Sequence, residues 1–281
     1  MRAGLVQLNS SDDPAANLPI TEGLIREAAA GGADLVLTPE VSNIISASRT
    51  RQGDVLCTEA ADPTLARLSE VAADTKIWLL IGSLALKQAE SEAGADARFV
   101  NRSFLIDSDG GITARYDKIH MFDVALGGAE SYSESSGYRP GEAAMLAETP
   151  LARIGMTICY DLRFGHLYRM LAESGAEILT IPSAFTVPTG AAHWEVLLRA
   201  RAIETGCFVL APAQFGRHAA ARGRVRETYG HSLAIDPWGR ILADAGEGVG
   251  VTLVDLDMAL VADARERIPS LSKSPPFRPP V

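Results

Sequence analysis

The sequence predicts an α/β protein folded as one domain. Short apolar strands alternate with helical periodicities along most of the chain, so that β-α-β is already complete at Glu40. The same order, β-α-β and then a hairpin, recurs in the second half, as a pseudo-symmetric pair of layers would require. No linker separates the halves, and 281 residues that are 47% hydrophobic suffice for a large core.

Residues 3–8, A-G-L-V-Q-L, form the first strand. After the polar stretch Asn9–Asn17, Pro19 suits the first turn of a helix. Its apolar residues Ile20, Leu24, Ile25 and Ala28 recur at helical spacing, and Gly31-Gly32 ends it. D-L-V-L-T at 34–38 is a buried strand that stops at Pro39-Glu40. Residues 44–61, with Cys57, carry no clear pattern. Asp62-Pro63 opens a helix with Leu65, Leu68, Val71 and Ala72 on one face. Ile77–Leu84 is a strand and the polar stretch 87–98 an exposed loop. Phe99–Asp107 and Ile112–Tyr116 flank S-D-G-G as a hairpin, with Lys118 just beyond. Residues 119–142 lack periodicity and read as a long functional loop. Met145-Leu146 is a short strand, and Ile154–Ile158 a buried strand that runs into Cys159.

The second half continues with a helix near 165–174 and a strand at Glu177–Ile181. Residues 190–205 are the clearest helix, with Trp194, Leu197, Leu198 and Ala202 apolar and Gly206 as its stop. Cys207–Ala213 is a strand and 216–224 a flexible loop. His231–Asp236 and Arg240–Ala243 flank a second hairpin turn, Val249–Asp255 is the last strand, and Asp257–Arg267 a helix. The domain spans 1–270, and 271–281 is a proline-rich tail unsuited to packing.

Composition narrows the function. A net charge of −9 argues against nucleic acid or an anionic membrane as partner. No apolar run is long enough to span a bilayer, and the N-terminus lacks the pattern of a signal peptide. Cysteines 57, 159 and 207 show no metal-ligand spacing, so a cytoplasmic location is the default expectation.

The chemistry centres on R-I-G-M-T-I-C-Y-D-L-R-F at 153–164. A cysteine where a strand gives way to a helix has an exposed sulfur, and the N–H groups after it can face an oxyanion. The same cysteine would also serve as a small core residue. Glu40 and Lys118 likewise follow predicted strands, where the sites of sheet proteins assemble. Thiol, carboxylate and ammonium together can supply a nucleophile, a base for its proton and for water, and a stabiliser of negative charge.

The segments L-T-P-E at 37–40, Y-D-K-I-H-M-F-D at 116–123 and I-C-Y-D-L-R-F at 158–164 resemble, in this order, the three signatures of the nitrilase or carbon–nitrogen hydrolase superfamily. Residues 181–204 and 229–239 resemble its Nit-type amidases, so the likeness covers nearly the whole chain. The resemblance implies a four-layer α-β-β-α sandwich, commonly paired into homodimers or higher oligomers through the helix after the nucleophile. It implies a triad of Glu40, Lys118 and Cys159, with a second glutamate in support. Glu134 fits best, with Glu130 and Glu142 as competitors. The Tyr160 N–H and Lys118 would hold the oxyanion, Arg163 would grip a substrate carboxylate, and Phe185 and Thr189 would contact substrate. Arg163 could instead pair internally with Asp161 or a glutamate. No metal or organic cofactor is implied.

His120 and His193 read as structural, since no papain-like context surrounds Cys159, and Cys207 reads as core. The chain departs from the superfamily where Gly165-His166 replaces the usual Pro-Glu, which bears on substrate choice and assembly. The expected partner is a small carboxylate-bearing amide, such as deaminated glutathione or the omega-amide of a 2-oxo acid. The expected reaction cleaves a terminal amide through a thioester and releases ammonia. Hydrolysis of a nitrile or an N-carbamoyl amino acid is the alternative on the same triad, though Tyr160 stands where true nitrilases tend to have tryptophan. A non-catalytic metabolite-binding scaffold is the alternative from another class.

Overall fold

Two six-stranded sheets each have three parallel strands in the middle. In the first, β1 (Arg2–Gln7), β2 (Leu35–Leu37) and β3 (Trp78–Leu86) are parallel. Antiparallel β4 (Val100–Ile106) and β5 (Ile112–Asp117) continue it on one side, and β16 (Gly250–Asp255) closes the other. In the second, β9 (Arg153–Met156), β10 (Ile178–Thr180) and β11 (Phe208–Ala211) are parallel. Its edges are β8 (Met145–Glu148) and the antiparallel pair β14 (Leu233–Ile235) and β15 (Ile241–Asp244). The computed structural model that shows this describes residues 1–89, 96, 98–127, 130–273, 275, 276 and 278.

Side-chain alternation along the strands sorts the layers. Leu35 and Leu37 of β2 and Leu80 of β3 join one core with Ile154 and Met156 of β9, so the two sheets face each other. Val36, Leu79 and Ile81 point the other way, onto Ile25 of α1 (Pro14–Ala30) and Leu65 and Leu68 of α3 (Pro63–Thr75). Behind the second sheet, Leu167 and Leu171 of α4 (Gly165–Glu173) and Trp194 and Leu198 of α5 (Val187–Thr205) join the first core. The result is the expected four-layer α-β-β-α sandwich. A last helix, α6 (Ala259–Arg267), follows β16.

The structure corrects the sequence reading in four places. Helix α1 begins at Pro14, capped by the Asp13 carboxylate, which accepts from the Ala15 N–H at 3.1 Å. Pro19 therefore lies inside the helix and not in its first turn. The polar look of the start misleads because Asn17 is buried as an anchor, donating to the carbonyls of Ser11 and Asn43 at 2.9 Å. The unpatterned segment 44–61 contains α2 (Arg49–Val55), whose buried residue is Gln52; this short helix has no apolar stripe to read. The expected loop 119–142 holds a hairpin, β6 (Asp123–Gly127) and β7 (Glu130–Ser133). The expected loop 216–224 is the arm of another, β12 (Phe215–Arg217) and β13 (Glu227–Tyr229). Of the expected exposed loop 87–98, residues 90–95 and 97 lie outside the described residues, as do 274, 277 and 279–281 of the tail.

Candidate active site

Glu40 sits at the turn after β2. Gly82 of β3 permits this turn, because a Cβ there would overlap the Thr38 carbonyl and the Pro182 side chain and lie 2.7 Å from the Pro39 carbonyl. The next residue, Val41, has φ of 48°, a left-handed value unusual for a β-branched side chain. Hydrogen bonds compensate: Ser83 Oγ accepts from the Val41 N–H at 2.8 Å, and the Ser83 carbonyl from the Ser42 N–H at 2.9 Å. Cys159 is also left-handed, with φ of 50°, at the head of a short 3-10 turn, Cys159–Arg163. Left-handed backbone at Cys159 and just after Glu40 fits a site that the surrounding structure over-determines.

Asp161 is what fastens the Cys159 turn. It is fully buried. One carboxylate oxygen accepts from the Ile158 N–H at 2.9 Å and the Tyr116 hydroxyl at 2.7 Å. The other accepts from the His120 N–H at 3.0 Å and meets His120 Nδ1 at 2.7 Å. Tyr116 and His120 flank Lys118 two residues on either side, so one carboxylate locks the cysteine turn to the lysine segment. This accounts physically for Tyr and His around the lysine and for Asp after the cysteine. His120 also stacks on Phe164 with ring centroids 3.5 Å apart. Neither the alternative pairing of Arg163 with Asp161 nor a Cys–His dyad is present.

Lys118 is 2% exposed. Its Nζ donates to Glu40 Oε1 at 2.8 Å and to both oxygens of Glu134 at 3.0 and 2.9 Å. Glu134 is steadied by the Phe122 N–H at 2.6 Å. Glu142 points away, 86% exposed and 3.9 Å from Arg139, and the Glu130 side chain lies outside the described residues. Asn101, which sequence reasoning missed, donates to Glu40 at 3.0 Å and reaches Glu134 at 3.5 Å through the same nitrogen. Its Oδ1 is buried without a hydrogen-bond partner, leaving one acceptor unused beside the carboxylates. Glu40 Oε2 accepts from the Ala184 N–H at 2.9 Å.

These side chains line a cavity of about 400 Å³, a size that takes a small organic molecule. Tyr160, Phe185 and Thr189 form further parts of its wall. Phe185 packs on Trp194 at 4.8 Å, and the Thr189 hydroxyl meets that of Thr186 at 2.8 Å. Arg163 is the exception among the expected contacts, because it does not line the cavity. It meets His193 Nδ1 at 3.2 Å and lies over the rings of Tyr160 and Phe185 at 5.8 and 5.7 Å. It lies beside the Tyr160 and Phe185 rings of the wall. Cys207 lies in the core with its thiol on the Ala176 carbonyl at 3.2 Å. Gly165 leaves room for Arg201, whose guanidinium holds the Leu162 carbonyl at 3.0 and 2.8 Å. Among the described residues, no His, Cys, Asp and Glu group is placed to hold a metal ion.

The charges are distributed by environment. Burial alone would raise Glu40, but the Lys118 ammonium outweighs it and holds the carboxyl below the usual carboxylate range. Burial likewise opposes the Lys118 charge, and Glu134 and Glu40 overcome it, so the ammonium is held well above its usual value. Burial pushes the Cys159 thiol well up, the neighbouring Glu40 charge adds to this, and Lys118 offsets only part. At neutral pH the site therefore holds a neutral thiol beside an ionised carboxylate.

The profile of the carbon-nitrogen hydrolase family matches residues 2–266. The chain belongs to that family, as an amide-hydrolysing enzyme on a nitrilase-superfamily fold. One relative is the deaminated glutathione amidase of Yersinia enterocolitica, 40% identical over 95% of this chain and 90% of its own. The crystal structure of the Caenorhabditis elegans NitFhit protein superposes with a TM-score of 0.88 at 36% identity, over 97% of this chain. The chain spans 64% of that protein. A mutant amidase from Nesterenkonia sp. AN1, carrying the Michael adduct of acrylamide at its active-site cysteine, superposes with a TM-score of 0.75. It is 25% identical, with 95% of this chain and 98% of that one covered.

Proposed function

We propose that the chain hydrolyses the amide of a small carboxylate-bearing substrate through a thioester on Cys159. The observation that carries this reading is the convergence of Lys118 on Glu40 and Glu134 at 2.8 to 3.0 Å in one cavity with Cys159. Cys159 Sγ attacks the carbonyl carbon while Glu40 takes the thiol proton. Lys118 Nζ and the Tyr160 N–H stabilise the oxyanion. Glu40 then gives its proton to the departing nitrogen, the C–N bond breaks and the thioester remains. Water, deprotonated by Glu40, attacks the thioester and releases the acid and the thiol. Glu134 keeps Lys118 charged and aimed. The acrylamide adduct of the Nesterenkonia amidase supports a reactive cysteine in this setting.

The Yersinia relative supports deaminated glutathione as one substrate. In that compound the amide joins the far carboxyl of the 2-oxo diacid to cysteinylglycine and is secondary, so the departing group is the amine of cysteinylglycine; ammonia is released only from a primary omega-amide. A panel of deaminated glutathione, glutaramate-type amides, an N-carbamoyl amino acid and a simple nitrile tests the reading. Turnover of the amides alone is expected, together with a loss of at least about a thousandfold in Cys159→Ala. Full activity in that variant would sink the proposal.

A further inference from the structure

Glu40 has two tasks in the reaction proposed above, and each needs an open acceptor position: it takes a proton from the thiol and later one from water. An ionised carboxylate offers about four such positions, two on each oxygen. Oε1 accepts from Lys118 Nζ at 2.8 Å and from Asn101 Nδ2 at 3.0 Å. Among the described residues, Oε2 accepts only from the Ala184 N–H, at 2.9 Å. Oε1 is therefore full, and Oε2 keeps one position. Oε2 is also the oxygen on the side of Cys159, because the same Ala184 N–H works against the rise of the Cys159 thiol.

Asn101 of β4 is 2% exposed and lines the cavity. Its orientation is dictated by its neighbours. Carboxylates at the site only accept, so the NH2 end of the amide faces Glu40, and Glu134 at 3.5 Å. The cost is Oδ1, buried without a hydrogen-bond partner. The backbone serves the same cluster, since the Asn101 carbonyl accepts from the Lys118 N–H at 3.0 Å. A neutral donor suits this place. A second cation would lower Glu40 further and weaken it as a base, whereas an amide fills the position without adding charge. The titratable groups around it are Glu40, Glu134, Lys118 and Cys159, and Arg226 and Tyr138 interact with the Glu40 charge.

We propose that Asn101 is a positioning residue: by filling the second acceptor position of Glu40 Oε1, its amide holds the carboxylate so that only Oε2 exchanges protons with the thiol and with water. This rests on the amidase reading above. In the first step the S–H bond breaks as an O–H bond forms on Oε2, and that proton then leaves with the departing amine.

The test measures ammonia release from glutaramate against pH in wild type, Asn101→Leu and Asn101→Asp. In Asn101→Leu, kcat is expected to fall at least about tenfold with KM within about twofold of wild type. The acid limb of kcat/KM should move up, since Glu40 loses a donor to its charged form. In Asn101→Asp the introduced carboxylate would repel Glu40 and Glu134 at neutral pH. Once protonated it is a donor of nearly the same shape as the amide, so this variant is expected to gain on wild type as pH falls. Wild-type kcat and acid limb in Asn101→Leu would overturn the proposal, and so would a constant ratio of Asn101→Asp to wild type across pH. If circular dichroism shows that Asn101→Leu does not fold, the Asn101→Asp profile decides. Alkylation of Cys159 by iodoacetamide at neutral pH reads Glu40 as a base without turnover. Slower alkylation in the variants supports the positioning role even if glutaramate is not hydrolysed, in which case the amidase reading alone fails. Alkylation at the wild-type rate removes the role.

Discussion

At the residue scale, burial and the neighbouring Glu40 charge keep the Cys159 thiol neutral at rest. Glu40 and Glu134 carry two negative charges against one on Lys118, so a resting thiolate would add a third charge of the unfavourable sign in a buried place. Alkylation of Cys159 by iodoacetamide should therefore show no thiolate step below about pH 8, and it should slow sharply in Glu40→Gln. A thiolate titrating below neutrality would contradict this. The acid limb of kcat/KM should fall below the ordinary carboxylate range, because Glu40 is held down by Lys118. Cys159, Glu40 and Lys118 could be read from the sequence because each follows a strand in a recognisable string. Arg163 was legible as a residue beside the site, while its exact placement, over the rings of Tyr160 and Phe185, was not, because closeness in sequence says nothing of side-chain direction. Asn101 gave no signal, since an asparagine inside an apolar strand carries no motif.

At the element scale, the strands and long helices were legible because burial imposes a period on them. The pieces around the cavity mouth were not. Helix α2, the hairpin of β6 and β7 and the arm between β12 and β13 are held largely by polar contacts, such as Gln52 Nε2 on the Tyr138 hydroxyl at 3.1 Å. One titratable fastener of the arm is a histidine. His218 is buried, with Nδ1 2.8 Å from the Ser10 carbonyl and Nε2 2.7 Å from the Thr228 hydroxyl. The carbonyl can only accept, so Nδ1 carries the proton and Nε2 accepts. Burial, helped by Arg226, pushes this histidine down to about 4. The unfolded chain then binds the proton more readily, so stability is full above about pH 6.5 and declines as pH falls towards 4. The loss across that window should be about 3 kcal/mol in denaturant titrations. His218→Gln should flatten the slope, and an unchanged slope would show that another group titrates.

At the scale of the whole molecule, each sheet contributes strand ends to one site. Glu40 and Lys118 come from the first sheet and Cys159 from the second, while Asp161 pins the two together through Tyr116 and His120. The inter-sheet core and the cluster of Glu40, Lys118 and Cys159 are therefore parts of one cooperative unit. Lys118→Met should cost about 3–5 kcal/mol in denaturant titrations, since it strands two carboxylates in a buried place. The repeated strand order in the sequence points to a pseudo-symmetric pair of layers, while the four-layer sandwich is legible only through the family resemblance. The account stands most directly on the identity of the acyl carrier. Rapid acid quench of wild type turning over glutaramate, followed by peptide mass spectrometry, should show the glutaryl group on the Cys159 peptide as an ester labile to hydroxylamine. Turnover with Cys159 unmodified at every quench time, and undiminished in Cys159→Ala, would contradict it.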